Sequence, residues 1–157
     1  MRFAELSTNK MTILMKLISS DEIVKCLINN QSNFLDIEIP VDFDRSSLIY
    51  QNLYPHHFIP TVETEAKTFI TIRLAYKPNG MTFKIGSIWF YIITHNSLIR
   101  TDYGFLRYDY LINKIDEIFN SSEDLGFDKL AFNDMDEFIV NENYGGVYIL
   151  YKTQQFQ

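Results

Sequence analysis

One cysteine in 157 residues, Cys26, excludes an internal disulfide. It lies in an apolar helical pattern, where a free thiol behaves as a small buried hydrophobe rather than a nucleophile. The expected setting is therefore reducing and intracellular. Four prolines and six glycines are too few for a disordered chain when 46% of residues are hydrophobic and 15% aromatic. No run approaches the ~18 consecutive apolar residues of a membrane-spanning helix. The opening Met1-Arg2-Phe3-Ala4-Glu5-Leu6-Ser7-Thr8-Asn9-Lys10 lacks the apolar centre of a secretory leader, so neither a membrane nor export is expected. Basic residues number 14 against 20 acidic ones, for a net charge of −6, and they do not cluster. Gripping nucleic acid needs clustered Lys and Arg to neutralise phosphates; DNA that passes without being gripped is still compatible. P-loop, G-x-S-x-G, H-E-x-x-H and Rossmann signatures are missing too.

The length suits one domain. Ser19-Ser20-Asp21-Glu22 reads as a capping box, with Ser19 the cap and Glu22 reaching back, opening a helix through Ile23, Val24, Leu27 and Ile28. Residues 1–10 are expected to be an N-terminal arm or an upstream start, before a single domain over 11–157. Pro40, Pro55 and Pro60 then exclude a helix across 34–64. That stretch still carries Leu48, Ile49, Tyr50, Leu53, Tyr54, Phe58 and Ile59. An irregular segment so apolar is expected to lie along its own domain or reach a neighbour.

The centre carries the clearest pattern. Thr68 to Tyr76 alternates, with Ile70, Ile72, Leu74 and Tyr76 on one side; Lys77-Pro78-Asn79-Gly80 has turn chemistry; and Met81 to His95 reads as a long strand. These predict an antiparallel hairpin. Ile88 to Ile93 is apolar on both faces, as in a strand covered on both sides. Tyr108, Leu111, Ile112, Ile115, Ile118 and Phe119 form the stripe of a second helix, closed by Asn120-Ser121-Ser122. Two short strands are expected near 128–132 and 146–152, flanking an acidic loop with Asp134, Asp136, Glu137 and Glu142. The fold class is α+β: a small, mainly antiparallel sheet of about four strands packed by two helices.

Candidate chemistry is sparse. His56 and His57 are adjacent, so in extended backbone they point apart and chelate one ion poorly. His95 ends the long strand near Asp102 in sequence and reads as a structural histidine. The D-x-D pairs Asp42/Asp44 and Asp134/Asp136 lack the glycine and distal glutamate of a calcium loop. Arg100, Asp102 and Arg107 flank a turn, either as local ion pairs or as contacts between identical subunits. No catalytic residue, cofactor or metal is expected.

Three stretches resemble a known family. The first is Leu48-Ile49-Tyr50-Gln51-Asn52-Leu53-Tyr54-Pro55-His56-His57-Phe58-Ile59-Pro60, with Lys67-Thr68-Phe69-Ile70-Thr71-Ile72 after it. The second is Thr101-Asp102-Tyr103-Gly104-Phe105-Leu106-Arg107-Tyr108-Asp109 leading into Ile115-Asp116-Glu117-Ile118-Phe119-Asn120. The third is Asn143-Tyr144-Gly145-Gly146-Val147-Tyr148-Ile149-Leu150-Tyr151. Their order over 11–157 is similar to the head–tail connector, neck and tail-terminator (tail completion) proteins of tailed bacteriophages. The resemblance implies a non-enzymatic subunit that assembles with itself in a six- or twelve-fold ring. It would sit between neighbouring neck, portal or tail-tube proteins in the virion, after assembly in the host cytoplasm, with DNA only as passing cargo. Contacts between subunits are expected at Tyr50, Tyr54, Phe58, Arg100, Asp102 and Arg107. The alternatives are a small acidic monomeric protein-binding module or inhibitor, and an enzyme built on His95 and Asp102.

Overall fold

The computed structural model describes residues 3–81, 83–120 and 129–156. Helices α1 (Leu6–Ile18) and α2 (Asp21–Ile28) open the fold, and α3 (Arg107–Phe119) follows the central hairpin. Five strands, β1 (Leu53–Tyr54), β2 (Thr68–Asn79), β3 (Phe83–His95), β4 (Ala131–Ile139) and β5 (Tyr144–Phe156), form one sheet in the order β1-β2-β3-β5-β4. The two-residue β1 pairs parallel to β2, and the other pairings are antiparallel.

The hairpin forms as its alternation requires. β2 and β3 pair from Thr68↔Thr94 to Asn79↔Phe83, so the strands run further toward the turn than expected. Gly80 takes the positive φ of +75°, and Pro78 is tolerated because β1 covers β2 only at Ile70 and Thr71. Ile70, Ile72, Ile88, Phe90 and Ile92 point to the helices and are buried with Leu111, Ile115 and Phe119. Ile118, expected in this core, is only half-buried. Phe90 and Phe119 meet at 4.8 Å between ring centroids, and Tyr151 donates to Asp116 Oδ1 at 2.6 Å. Burial first, and that bond second, push the Tyr151 phenol far above its ordinary range. Ile115→Ala should therefore lower the unfolding free energy by about 2–5 kcal/mol, measured by urea titration; a loss under about 0.5 kcal/mol would contradict its place in the core.

Three expectations need correction. A third helix is present: α1 runs across residue 10, and Ile13, Leu14, Leu17 and Ile18 on one side of it are buried. The cap of α2 is Ser20, whose Oγ accepts from Ile23 N at 3.3 Å, while Ser19 ends α1. Asp134, Asp136 and Glu137 lie on the exposed edge strand β4 and not in a loop. An edge strand has a partner on one side only and can carry charge on both faces. The expected end of the second helix at Ser121-Ser122 and the strand start near 128 lie outside the described residues.

The segment 34–64 divides in two. Its first half lies on the helical side, burying Phe34, Leu48 and Leu53 in the main core; Arg45 donates to Ile18 O at 2.9 Å and pairs with Asp21. Its second half crosses the opposite face of the sheet. Among the described residues no helix is long and apolar enough to cross a membrane.

Candidate functional site

The sheet face away from the helices carries a second, smaller core. In β2, β3 and β5 the residues alternating with the main core, Phe69, Ile93 and Tyr144, are buried there with Tyr54, Phe58, Tyr91, Phe138 and Val140 packed around them. What covers them is the strap 55–66, pinned by side chains from the β4–β5 turn. Asn141 Nδ2 donates to Pro60 O at 2.9 Å, Asn143 Nδ2 to Val62 O at 2.9 Å, and the Tyr144 hydroxyl to Glu65 O at 2.6 Å. These bonds give partners to the carbonyls of Pro60, Val62 and Glu65, which helps an irregular segment lie on an apolar face.

An aromatic ladder runs from the strap onto the open sheet. Tyr54 stacks on Phe58 at 4.2 Å with rings 1° from parallel, and Phe58 meets Phe69 at 5.0 Å. His57 lies 5.7 Å from Tyr91, which contacts Phe138 at 5.9 Å and Tyr148 at 6.0 Å. Tyr148 donates to Asp134 Oδ2 at 2.9 Å; that bond, with burial second, raises its pKa. Further along the same face the Arg73 guanidinium sits 4.5 Å above the Trp89 ring. Between strap and β4 lies a cleft of about 310 Å³ lined by His57, Phe58, Tyr91, Ile93, Phe138 and Ile139. Its rim residues Ile59 and Ile139 are 71% and 87% exposed. This arrangement offers aromatic stacking and apolar contact with hydroxyl groups at the margin.

The structure brings three of the expected contact residues together. Tyr50 lies edge-on to Tyr54 at 6.1 Å, and Tyr54 stacks on Phe58. Tyr50 has a left-handed φ of 68°, costing about 1–2 kcal/mol in a residue with a Cβ; its N–H bonds Leu53 O at 2.8 Å and the residue is 56% exposed. Arg100 and Asp102 are exposed on the loop before α3, where Asp102 N donates to Ser32 O. Arg107 is 0% exposed and is used inside its own chain. Its guanidinium donates to the carbonyls of Leu98, Cys26, Asn29 and Gln31 at 2.8–3.0 Å and lies 4.4 Å from the Phe34 ring centroid. A side chain so enclosed has no surface for a neighbouring subunit.

The residues weighed for chemistry have local partners. His95 Nδ1 accepts from Ser97 N at 3.1 Å, capping a short turn, and its ring lies edge-on to Tyr144. His56 Nδ1 bonds the His57 carbonyl at 2.7 Å while His57 faces Tyr91. Among the described residues no three His, Cys, Asp or Glu side chains are grouped to hold a metal. Cys26 is buried, and burial pushes its thiol up to about 12 against the opposing pull of Arg107.

Sequence reasoning missed His57, Tyr91, Phe138, Ile139 and Tyr148 as one surface. The available signal was the two-faced apolarity of Ile88 to Ile93, which requires cover on both sides of β3. No curated protein and no solved structure matches the chain. The YomW family model matches residues 20–153, spanning α2, α3 and nearly all of the sheet, so the chain belongs to this phage-derived family.

Proposed function

We propose that this protein is a structural subunit of a ring in the phage neck, a tail terminator or head–tail connector that acts by assembly and not by catalysis. The observation that carries the reading is the incompletely covered outer face of the sheet. Ile59 and Ile139 stand exposed on the rim of one aromatic cleft, with Val62 exposed on the strap and Tyr50 exposed shortly before it. Each large apolar side chain left in water forgoes roughly 1.5–3 kcal/mol of burial. Packing against a neighbour recovers it, and cyclic symmetry closes such contacts without a sticky end. Membership of a phage-derived family is compatible with this place in a virion. Portal or tail-tube proteins would flank the ring, and an acidic chain lets DNA pass without gripping it.

Light scattering and negative-stain microscopy of the purified chain, alone and with portal or tail-tube proteins, test this. Six- or twelve-fold particles are expected, and Ile59→Asp with Ile139→Asp should leave folded monomers. A chain that stays monomeric in every mixture would exclude the ring. The second reading is a monomeric protein-binding module, favoured by a cleft already formed within one chain. Retained monomer together with loss of one bound partner in the Ile59/Ile139 variant would select it.

A further inference from the structure

We propose that adjacent copies join edge to edge, β2 of one chain adding to β4 of the next; the proposal rests on the ring reading above and names its seam. Both outer long strands leave an edge without a strand partner among the described residues. β4 pairs with β5 on one side and with no strand on the other, and β2 has no partner from Ile72 to Lys77 on the side away from β3, the stretch that ends where Pro78 has no N–H to give. Unpaired N–H and C=O groups along such edges are templates for another strand.

Charge selects which edges meet. β4 carries Asp134, Asp136 and Glu137, all exposed, with Lys152 in register only with Ala131 at its far end. The open part of β2 carries Arg73 and Lys77, both exposed, with Glu5 near Tyr76. Pairing β4 with β4 would bring three carboxylates per chain against their own copies, and pairing β2 with β2 would oppose cations. Like charges across a strand pair are destabilising and opposite ones stabilising. Complementary ends of one sheet therefore favour a head-to-tail, heterologous contact, the kind that closes into a ring.

Strand direction agrees with this. β2, β3, β5 and β4 alternate in direction along the sheet, so β2 and β4 run opposite ways. A neighbour placed by rotation about an axis along the strands adds its β2 antiparallel to β4. That gives hydrogen bonds perpendicular to the strands. Phe132 and Met135, half-exposed on β4, would gain cover from the added strand.

Charge reversal in pairs tests the seam. Arg73→Glu with Lys77→Glu makes both edges acidic, and Asp136→Lys with Glu137→Lys makes both edges basic. Each pair alone is expected to leave monomers with wild-type circular dichroism. All four changes in one chain should restore the ring, and mixing the two paired variants should restore rings of even subunit number. The neutral versions, Arg73→Gln with Lys77→Gln and Asp136→Asn with Glu137→Gln, guard against misfolding and should weaken assembly without abolishing it. Hydrogen exchange should slow at the backbone amides of 134–138 when the ring forms. Rings indifferent to either reversal, or unrestored by the four changes together, overturn the seam while the ring reading stands. A wild-type chain that never assembles overturns both.

Discussion

Replacing Arg107 with leucine will lower the unfolding free energy by about 3–5 kcal/mol and open Cys26 to thiol reagents. The reason is where α2 ends. The last carbonyls of a helix have no partner within it, and here they are buried against α3. Arg107 Nη1 serves Cys26 O and Asn29 O, both at 3.0 Å, Nη2 serves Gln31 O at 2.8 Å, and Nε serves Leu98 O at 2.8 Å. Asn52 Nδ2 takes the Leu27 carbonyl at 3.4 Å. A cation at a helix C-terminus is also favoured by the aligned peptide dipoles, and the Phe34 face covers the guanidinium. Leucine would fill part of the volume and leave four carbonyls without a donor.

Arg107→Lys should rescue little, because one ammonium with three donors cannot reproduce a planar fork that reaches four carbonyls. Cys26 Sγ lies 3.7 Å from Arg107 Nη1, so loosening the site should raise its labelling rate with an aromatic disulfide reagent. Unfolding in urea and that labelling rate are the two measurements. A leucine variant within about 1 kcal/mol of wild type, with Cys26 still protected, would mean that the carbonyls are satisfied in another way.

Arg107 also marks what a sequence can and cannot disclose. In the chain it is a charged residue before a helix, where an exposed ion pair is the ordinary reading. Its partners lie 76 to 81 positions earlier, apart from Leu98, and nothing local announces them. The hairpin was legible because its information is local: two adjoining alternating segments around Pro-Asn-Gly mark an antiparallel pair. Its register was not, because Lys77, Pro78 and Asn79 continue β2 and the chain turns beyond Asn79↔Phe83. α1 was also written locally, in Ile13, Leu14, Leu17 and Ile18, but the polar Ser7-Thr8-Asn9-Lys10 before them resembles a solvated arm. β4 was hidden for a different reason. An edge strand exposed over nearly its whole length needs no apolar alternation, so Asn133-Asp134-Met135-Asp136-Glu137 carries the composition of a loop. The outer-face cleft was half legible: Ile88 to Ile93 required cover on both sides, whereas the covering strap is fixed by Asn141, Asn143 and Tyr144 from the far end of the chain.

Gly146→Ala should cost at least about 3 kcal/mol, more than an ordinary overpacking change, and should show as an early midpoint in urea unfolding. Gly146 pairs with Ile93 in the middle of the sheet, within the long β3–β5 pairing. A Cβ built there falls on the carbonyl oxygen of Ile92, with the Ile92 carbonyl carbon 2.8 Å away. The obstacle is backbone in a central strand pair, so no rotamer change relieves it. The strands must separate or twist, and the pairings on either side, Ile92↔Val147 and Thr94↔Gly145, would be disturbed with them. Glycine here serves close approach of two main chains and not a special dihedral. Two neighbouring substitutions separate these causes. Gly80→Ala, in open space at φ +75°, should cost only the ~1–2 kcal/mol of the left-handed conformation. Gly145→Ala meets the Phe138 carbonyl oxygen at 3.2 Å, a tight contact at the edge of the sheet that a few tenths of an ångström relieve, and should cost less than half as much as Gly146→Ala. Because Gly146 lies beneath the second core of Phe69, Ile93 and Tyr144, its substitution should also disturb the strap. Faster proteolytic cleavage within residues 55–66 would report that coupling, and an alanine variant with wild-type stability and an uncut strap would refute the close approach of β3 and β5.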